Sequence, residues 1–338
     1  MTVQQKKKRT ITAGVLVLLV ALLAAYPQLV STNYYVSVGV SFLVFAALGS
    51  CWNIIGGYAG QTCWCMASFM AIGSYTGFIL DKTFGISPWI GLLVAAVVSA
   101  LAAYVIGMIS FRHRGVFFSL ITIAFTEVIR ILLIYAKPFT GGANGLFVTY
   151  KQDSLLRLTF RSDKVLYYIL LAVLILSVYV SWKVKTSRLG YYLRAISADQ
   201  DAVESLGIDS YKVKMRAFII SAVMASAIGL FYAYFLCYID PTTVSALAVS
   251  TKIGSVAIVG GVGTLFGPVI GAAILIPLTE LANVLLGSTG SGMLLYGAVL
   301  MIVIIFRPGG VMSFFQKDYV PRRIFPRRKR KEQRHGNS

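Results

Sequence analysis

Long apolar runs separated by short polar segments repeat along the chain. A run of about 18 or more apolar residues is long enough to cross the hydrocarbon core of a bilayer. In lipid every backbone N–H and C=O must be paired within the segment, so such runs form helices. The pattern therefore predicts an all-α polytopic membrane protein with about ten transmembrane helices. These lie at 11–29, 34–55, 63–80, 88–110, 116–136, 165–182, 217–238, 244–259, 266–286 and 293–306.

The eighth predicted span, 244–259, is short and carries Lys252. A broken or re-entrant helix is therefore the alternative for this segment, and it would change the number of spans. An even number places both ends of the chain on one side of the membrane. The first run also follows four basic residues, as in a signal peptide. We expect a retained span there, because the even number needs it.

Composition and charge agree with this membrane topology. The chain is 57% hydrophobic and 13% charged, with a net charge of +19 and a mean hydropathy of +0.78. Basic residues cluster before the first run and after the last one, so the positive-inside rule predicts cytoplasmic ends. The charges indicate topology anchoring and contact with anionic lipid headgroups, and they argue against nucleic acid as a partner. The predicted parts are a basic arm at 1–10, a membrane domain at 11–312 and a basic tail at 313–338.

Two polar segments between spans are long enough to carry function. The outer loop, 137–164, contains TGGANG at 140–145, which is typical of a turn. The inner segment, 183–216, contains a sequence with helix start and stop signals. Ser197 and Gln200 fit a capping box, and Gly207 stands where a left-handed residue ends a helix.

The predicted inner helix, 198–206, has one small and apolar face. A helix this short is marginal in water and needs a surface to pack on. Either it packs on the protein's own inner surface, or it is a rigid knob that a partner protein grips. A second short helix is expected from Leu189 to Ile196, with Arg188 and Arg194 exposed. The face itself consists of Ala198, Ala202, Val203 and Leu206.

Charged and sulfur-bearing residues inside the apolar runs are the other candidates for chemistry. Glu127 and Arg130 are three apart on one helix face and should face protein or water, paired with each other. They are either a structural ion pair or the polar wall of a transport pathway. Cys63 and Cys65, two apart on a presumed helix, should point to different faces and act as packing residues.

Glycines recur in a second block, GGVGTLFGPVIGA at 260–272. Without the lysine of a phosphate loop, they indicate close packing or a bend. Gly267 and Gly271 have the spacing that permits close helix contact, and Pro268 should kink or start a helix.

Five blocks in order resemble the permease subunits of branched-chain amino-acid ABC importers. The first is SRLGYYLRAISADQDAVESLGIDSYKVKMRAF at 187–218, which is similar to the coupling loop of that family. The others are FRHRGVFFSLITIAFTEVIR at 111–130, TGGANGL at 140–146, GGVGTLFGPVIGA at 260–272 and FRPGGV at 306–311. The chain departs from the family at 63–66, where Cys-Trp-Cys-Met replaces Ser-Leu-Gly-His.

The resemblance implies a type II-importer-like ABC permease in a bacterial inner membrane, whose ATPase subunits are separate chains. No cofactor is expected in this chain, with ATP and Mg²⁺ bound by the partners. Those partners would be a homologous second permease, two ABC ATPases and an extracellular solute-binding protein. The expected ATPase-coupling residues are Arg188, Gly190, Arg194, Ala195, Ala202, Glu204, Leu206 and Gly207. The expected translocation-pathway residues are Gly60, Gln61, Met66, Glu127, Arg130, Gly261 and Gly263.

Three alternatives stay open on the sequence. A permease for urea or another small amide would share these blocks. A secondary transporter driven by an ion gradient would usually carry more intramembrane acids or histidines. A membrane-embedded enzyme would need a nucleophile–base pair or metal ligands, and His113 alone does not supply either.

Overall fold

The computed structural model describes residues 20–314, except 31, 114, 149–153, 161, 287–288 and 307–308. The predicted basic arm and residues 11–19 of the first predicted span lie outside the described residues. So does all of the predicted tail beyond residue 314.

Helices make up most of the described chain. A π-helical stretch, Asn53–Tyr58, continues the helix Asn33–Trp52, and 3₁₀ turns lie at Gly142–Asn144 and Val311–Phe314. Strand β1, Leu146–Phe147, pairs antiparallel with β2, Tyr238–Ile239. The helices are α1 Val20–Leu29, α2 Asn33–Trp52, α3 Met66–Phe84, α4 Pro88–Ser110, α5 Val116–Tyr135, α6 Lys137–Thr140, α7 Asp163–Thr186, α8 Arg188–Ala198, α9 Gln200–Ser205, α10 Ser210–Leu236, α11 Pro241–Ser245, α12 Leu247–Gly260, α13 Gly267–Leu286 and α14 Thr289–Phe306.

Seven helical segments of the described chain are long and apolar enough to cross a membrane. This confirms a multi-pass helical membrane protein, while the count of ten spans stays a prediction. The eighth predicted span is interrupted near its start, where Ala246 adopts an extended conformation between α11 and α12, and the segment Pro241–Gly260 is one of the seven. The third starts later than predicted, at Met66 instead of residue 63.

Helix α2 and its π-helical continuation lie at the centre of the bundle. In the most apolar 18-residue stretch of this segment, 83% of the residues are buried. Around it pack α7, α10, α12 and α13. Helices α4 and α5 lie at the periphery, where only 28% and 17% of the residues in the equivalent stretches are buried. The exposed face of α4 is a continuous apolar surface that includes Leu93, Val97 and Leu101, as expected for contact with lipid.

Glycines bring several helices into backbone contact. A Cβ at Gly73 on α3 would lie 1.9 Å from the carbonyl oxygen of Ser226 on α10. A Cβ at Gly271 on α13 would lie 1.9 Å from the carbonyl oxygen of Val256 on α12. The predicted close contact at the Gly267–Gly271 spacing is thus confirmed, and Pro268 lies in the first turn of α13. Small residues permit this packing without a hydrophobic driving force between helices.

The two ends of the bundle differ. Strands β1 and β2 join the loop after α6 to the end of α10 at one end. Helices α8 and α9 lie between the far ends of α7 and α10, at the other end. The glycines at 140–145 form the predicted turn, with positive φ at Gly141, Gly142 and Gly145.

Candidate functional site: two helix breaks and an exposed inner segment

The first break in the helices follows the π-helical end of α2. Residues 59–65 adopt no helix before α3 begins at Met66. The prediction that Cys63 and Cys65 point to different faces of a helix is therefore wrong. Their sulfur atoms lie 3.1 Å apart in this irregular segment, and both side chains are fully buried.

Side-chain hydroxyl groups of α5 form hydrogen bonds with the backbone of this first break. The amide of Trp64 donates to the hydroxyl of Thr122 at 3.1 Å, and the hydroxyl of Thr126 donates to the Trp64 carbonyl at 2.9 Å. Ser119 donates to the carbonyl of Thr62 at 2.8 Å. Irregular backbone at membrane depth is tolerated only where protein or enclosed water satisfies it. The hydroxyl groups on α5 therefore allow the chain to leave the helix here.

The second break, 261–266, joins α12 to α13 and is held by one side chain of the π-helical stretch that precedes the first break. The Nδ2 of Asn53 donates to the carbonyl of Thr264 at 2.7 Å. The amide of Gly263 donates to the Oδ1 of Asn53 at 2.8 Å. Asn53 is fully buried, so one amide group ties the second break to the helical stretch that leads into the first, more than 200 residues away in sequence. No sequence pattern had singled out this residue.

The predicted pathway residues divide between these breaks. Gly60 is exposed and Gln61 is half-buried, whereas Met66 is fully buried. Gly261 is buried, and a Cβ there would lie 3.0 Å from the Met312 side chain. Gly263 is half-buried and uses a φ of +78°. The structure thus exposes Gly60, leaves Gln61 partly accessible and gives Met66 and Gly261 packing positions.

Glu127 and Arg130 form the predicted ion pair on α5. Both Nε and Nη2 of Arg130 lie 2.8 Å from Oε2 of Glu127. The two side chains stay 39% and 30% exposed on this isolated chain. A charge facing lipid at the centre of a helix costs about 2.5–3.5 kcal/mol. This face of α5 therefore needs protein or water against it, unlike the apolar face of α4.

Capping residues define the inner segment, and one predicted cap is wrong. The Oδ1 of Asp199 accepts hydrogen bonds from the amides of Asp201 and Ala202, at 3.0 and 3.1 Å. Asp199 is therefore the N-cap of α9, and the predicted cap, Ser197, lies in the last turn of α8. The helix shortens to six residues. Gly207 takes the predicted left-handed conformation with φ +80°.

Helix α8 fits closely against the end of α7, as the predicted second helix. A Cβ at Gly190 would lie 2.3 Å from the carbonyl oxygen of Val184. Arg194 donates to the carbonyls of Gly190 and Lys185, and its guanidinium lies 4.8 Å from the ring centroid of Tyr191. Both Arg188 and Arg194 are exposed, as predicted.

Most of the predicted apolar face of α9 points away from the protein. Val203 alone of the predicted face is buried, while Leu206 is 79% exposed. Ala202 and Gly207 are exposed, and no atom lies within 4 Å of a Cβ built at Gly207. Exposed Ala195, Glu204 and Tyr191 extend this surface. Packing on the protein's own surface thus accounts for Val203 and leaves the other apolar groups open.

Asp209 fixes the start of α10 at the end of the inner segment. Its carboxylate accepts the backbone amide of Lys212 at 3.0 Å and pairs with the Lys212 ammonium at 3.0 Å. These hydrogen bonds from Lys212 hold the pKa of Asp209 below its ordinary value. The carboxylate therefore stays ionised at neutral pH and keeps the helix start in place.

Comparison with known proteins identifies the protein family to which this sequence is similar. A family model described as "Branched-chain amino acid transport system / permease component" matches residues 11–304. The high-affinity branched-chain amino acid permease protein LivM of Salmonella typhimurium is 28% identical over 320 residues, covering 88% of this chain and 74% of that protein. The corresponding LivH of Escherichia coli K12 is 24% identical over 295 residues, covering 84% and 90%.

Among solved structures, PsaBC from Streptococcus pneumoniae in complex with Fab aligns with a TM-score of 0.45 at 13% identity. The alignment covers 82% of this chain and 93% of that chain. The family model spans well over half of the sequence. The chain therefore belongs to the family of permease components of branched-chain amino acid transport systems.

Proposed function

We propose that this chain is one of two permease subunits of an ATP-driven importer for branched-chain amino acids in a bacterial inner membrane. The observation that carries the proposal is the exposed α8–α9 segment of a chain that belongs to this permease family. Two separate ABC ATPases bind ATP and Mg²⁺, and the permease itself is not an enzyme. A homologous permease completes the membrane unit, and a solute-binding protein docks on the outer loop 137–164. Both chain ends lie in the cytoplasm.

In this proposal the α8–α9 segment is the contact through which the ATPases act. Leu206 and Ala202 present a small apolar surface that no part of the described chain covers, and Gly207 permits close approach of a partner. The cap at Asp199 and the packing of Gly190 keep the segment rigid. A rigid segment passes the closing motion of the ATPases to the helices, which change from inward- to outward-facing.

The translocation pathway lies along α5 and the helix breaks. Gly60 and Gln61 are reachable beside the hydroxyl-bearing face of α5, and Glu127 and Arg130 extend its polar character. Broken helices at membrane depth supply backbone groups to transported solutes in other transporters. The second permease covers the exposed charges on α5, so that the polar face borders a pathway between the two subunits.

The decisive experiment is purification of the tagged chain with its genomic neighbours, followed by uptake assays in proteoliposomes. We expect co-purification of two ATPase subunits and a second permease, and uptake of leucine, isoleucine and valine that requires the binding protein and ATP. Uptake that persists after ATP depletion under an intact proton gradient would show a secondary transporter. Uptake of urea in place of leucine would assign the amide substrate class.

Variants on α9 test the coupling role. Ala202→Arg places a long charged side chain on the open surface of α9, and should abolish the ATP hydrolysis that the loaded binding protein stimulates. Ala202→Ser keeps the small volume at the same position and should retain it. Equal stimulation in both variants, with uptake intact, would refute the coupling assignment.

Variants on α5 test the pathway face. Glu127→Ala leaves the Arg130 guanidinium without its carboxylate, so uptake should fall more than in the double variant Glu127→Ala/Arg130→Ala. Val128→Ala is the control, because Val128 is 52% exposed on the apolar side of the same turn. If Glu127→Ala transports as well as Val128→Ala, the polar face does not border the pathway.

A further inference from the structure

A buried lysine connects α9 to the membrane helices. Lys214, in the second turn of α10, is only 1% exposed. Its ammonium donates to Oε1 of Gln200 at 2.7 Å, and Nε2 of Gln200 donates to Oε1 of Glu204 at 2.7 Å. A lysine is almost never fully buried without a partner, and burial of its charge is costly. The position of α9 is therefore tied to α10 through a buried charge.

The same ammonium approaches an aromatic cluster at the turn between α4 and α5. It lies 5.8 Å from the ring centroid of Phe111, within the range of a cation–π contact. The Phe111 ring stacks on Phe118 of α5 with centroids 5.3 Å apart and planes 13° apart. It also meets Phe218 of α10 edge-on at 5.5 Å. One ring thus contacts both the α9 anchor and two long helices.

From Phe218 the aromatic contacts continue to the first helix break. Phe218 meets Phe69 of α3 edge-on at 5.4 Å, and Phe69 lies 6.2 Å from Phe125 of α5. Phe125 stands between Thr122 and Thr126, whose hydroxyls bond the backbone of the break. Phe69 is in the first turns of α3, directly after the break ends. The contacts therefore run from α9 to Phe69, whose amide donates to the carbonyl of Cys65, the last residue of the break, at 3.4 Å.

We propose that Lys214, Phe111, Phe118, Phe218 and Phe69 form the transmission path that passes motion of α9 to the 59–65 break and to α5. The inference rests on the proposed coupling role of α8–α9. Phe118, Phe218 and Phe69 are fully buried, and Phe111 is 6% exposed. Because protein interiors are close-packed, a displaced ring moves its neighbours and finds no space to yield into. The five residues act as positioning residues for the pathway and do not touch the solute.

Coupling energy along such a path must be measured, since contact alone does not establish it. The experiment uses the complete complex in proteoliposomes, with loaded binding protein outside and ATP on the ATPase side. The two readouts are ATP hydrolysis and leucine uptake, expressed as leucine transported per ATP consumed. Thermal midpoints of the purified complexes are measured in parallel, so that a loss of stability is distinguished from a loss of coupling.

The variants interrupt the path at its start, Lys214, and in its middle, Phe218. Lys214→Met keeps an unbranched apolar side chain without the ammonium, and Phe218→Leu removes the ring between Phe111 and Phe69. Their matched controls are Lys212→Met and Phe78→Leu. Lys212 is a lysine on the same helix turn with 72% side-chain exposure. Phe78 is a buried ring that pairs α3 with Tyr234 of α10, at 5.1 Å, away from the path.

Both path variants should retain basal ATP hydrolysis and lower leucine transported per ATP by about 2- to 30-fold, the range of measured coupling effects. The controls should keep the wild-type ratio, whatever their thermal midpoints. The double variant Lys214→Met/Phe218→Leu should transport as much leucine per ATP as the single variant with the lower ratio, because both substitutions interrupt one path. The proposal would be overturned if the fold-losses of the two single variants multiplied in the double variant. It would also be overturned if Phe218→Leu and Phe78→Leu transported the same amount of leucine per ATP.

If Phe218→Leu yields no assembled complex, Phe111→Leu replaces it and is judged by the same ratio. The outcome also separates this path from the coupling role on which it rests. The path alone is refuted if Ala202→Arg loses stimulated hydrolysis while Lys214→Met and the ring variant keep the wild-type ratio of leucine to ATP. Stimulated hydrolysis that survives in Ala202→Arg refutes the coupling role itself.

Discussion

The replacement Asn53→Leu is the sharpest test of how the second helix break is held against the π-helical end of α2. Leucine has a side chain that branches at the same atom but cannot form the two hydrogen bonds that Asn53 makes to the second break. The substitution leaves the amide of Gly263 and the carbonyl of Thr264 without their buried partner. Each unsatisfied buried group costs about 1–3 kcal/mol, so docking of the second break should weaken by about 2–6 kcal/mol.

The Gly263 amide reports this change directly, because it donates to Asn53. Each 1.4 kcal/mol corresponds to about a tenfold change in an equilibrium. Hydrogen exchange in a peptide covering 261–266 should therefore accelerate by about 30-fold or more. Leucine uptake should fall in parallel, because the π-helical stretch that leads into the first break loses its hydrogen bonds to the second break.

Ser50→Ala provides the control for Asn53→Leu. Ser50 is equally buried on α2, but its hydroxyl bonds the carbonyl of Ala46 in its own helix at 2.8 Å. Its loss should leave exchange in 261–266 at the wild-type rate. Unchanged exchange in Asn53→Leu, with normal uptake, would refute the reasoning that this side chain holds the second break in place.

Two further predictions concern the α12–α13 hairpin and the start of α9. Gly260→Ala should destabilise the hairpin by about 1–3 kcal/mol, because its Cβ would lie 1.7 Å from the carbonyl oxygen of Gly267. Gly297→Ala, where no atom lies within 4 Å, should keep the wild-type thermal midpoint, and equal midpoints for the two would contradict the packing argument. Asp199→Ala should weaken α9 by about 0.5–2 kcal/mol and accelerate hydrogen exchange across 200–205. Ser197→Ala should not, and the reverse result would restore Ser197 as the cap.

Hydropathy predicts most of the long helices in this chain, but it does not predict where they break. Cys63, Trp64, Cys65 and Met66 form an apolar run that is typical of a helix. The run instead contains irregular backbone up to Met66, because Thr122 and Thr126 on another helix satisfy its polar groups. That compensation depends on tertiary contacts and has no local signal. The bond from Asn53 to the second break is hidden for the same reason.

The inner segment shows how closely balanced local signals are resolved by packing. Ser197 and Asp199 both suit an N-cap, and a capping box favours the serine. In the structure α8 extends through Ala198, because Leu193 and Ile196 bury its apolar face against the bundle. The serine is thereby drawn into α8, and the next suitable residue caps α9. Gly207 has no competitor, so its position as the helix stop is predicted correctly.

Lys214 illustrates a different limit of sequence reasoning. By sequence it is one of several cytoplasmic charges that orient the spans, and such charges usually lie in water or at the headgroups. The structure buries it between Gln200 and Phe111. Its neighbour Lys212 remains exposed. Nothing in the local pattern distinguishes the two lysines, because the aromatic cluster that receives one of them comes from separate helices.

The half-exposed ion pair on α5 also has a consequence for biogenesis. In the proposed two-permease arrangement, a copy of this protein that is inserted without its companion subunit would present Glu127 and Arg130 to acyl chains. Such a copy is penalised in the bilayer, and assembly relieves that penalty. We therefore expect unassembled copies to be short-lived in cells and to accumulate only when the second permease is synthesised alongside them.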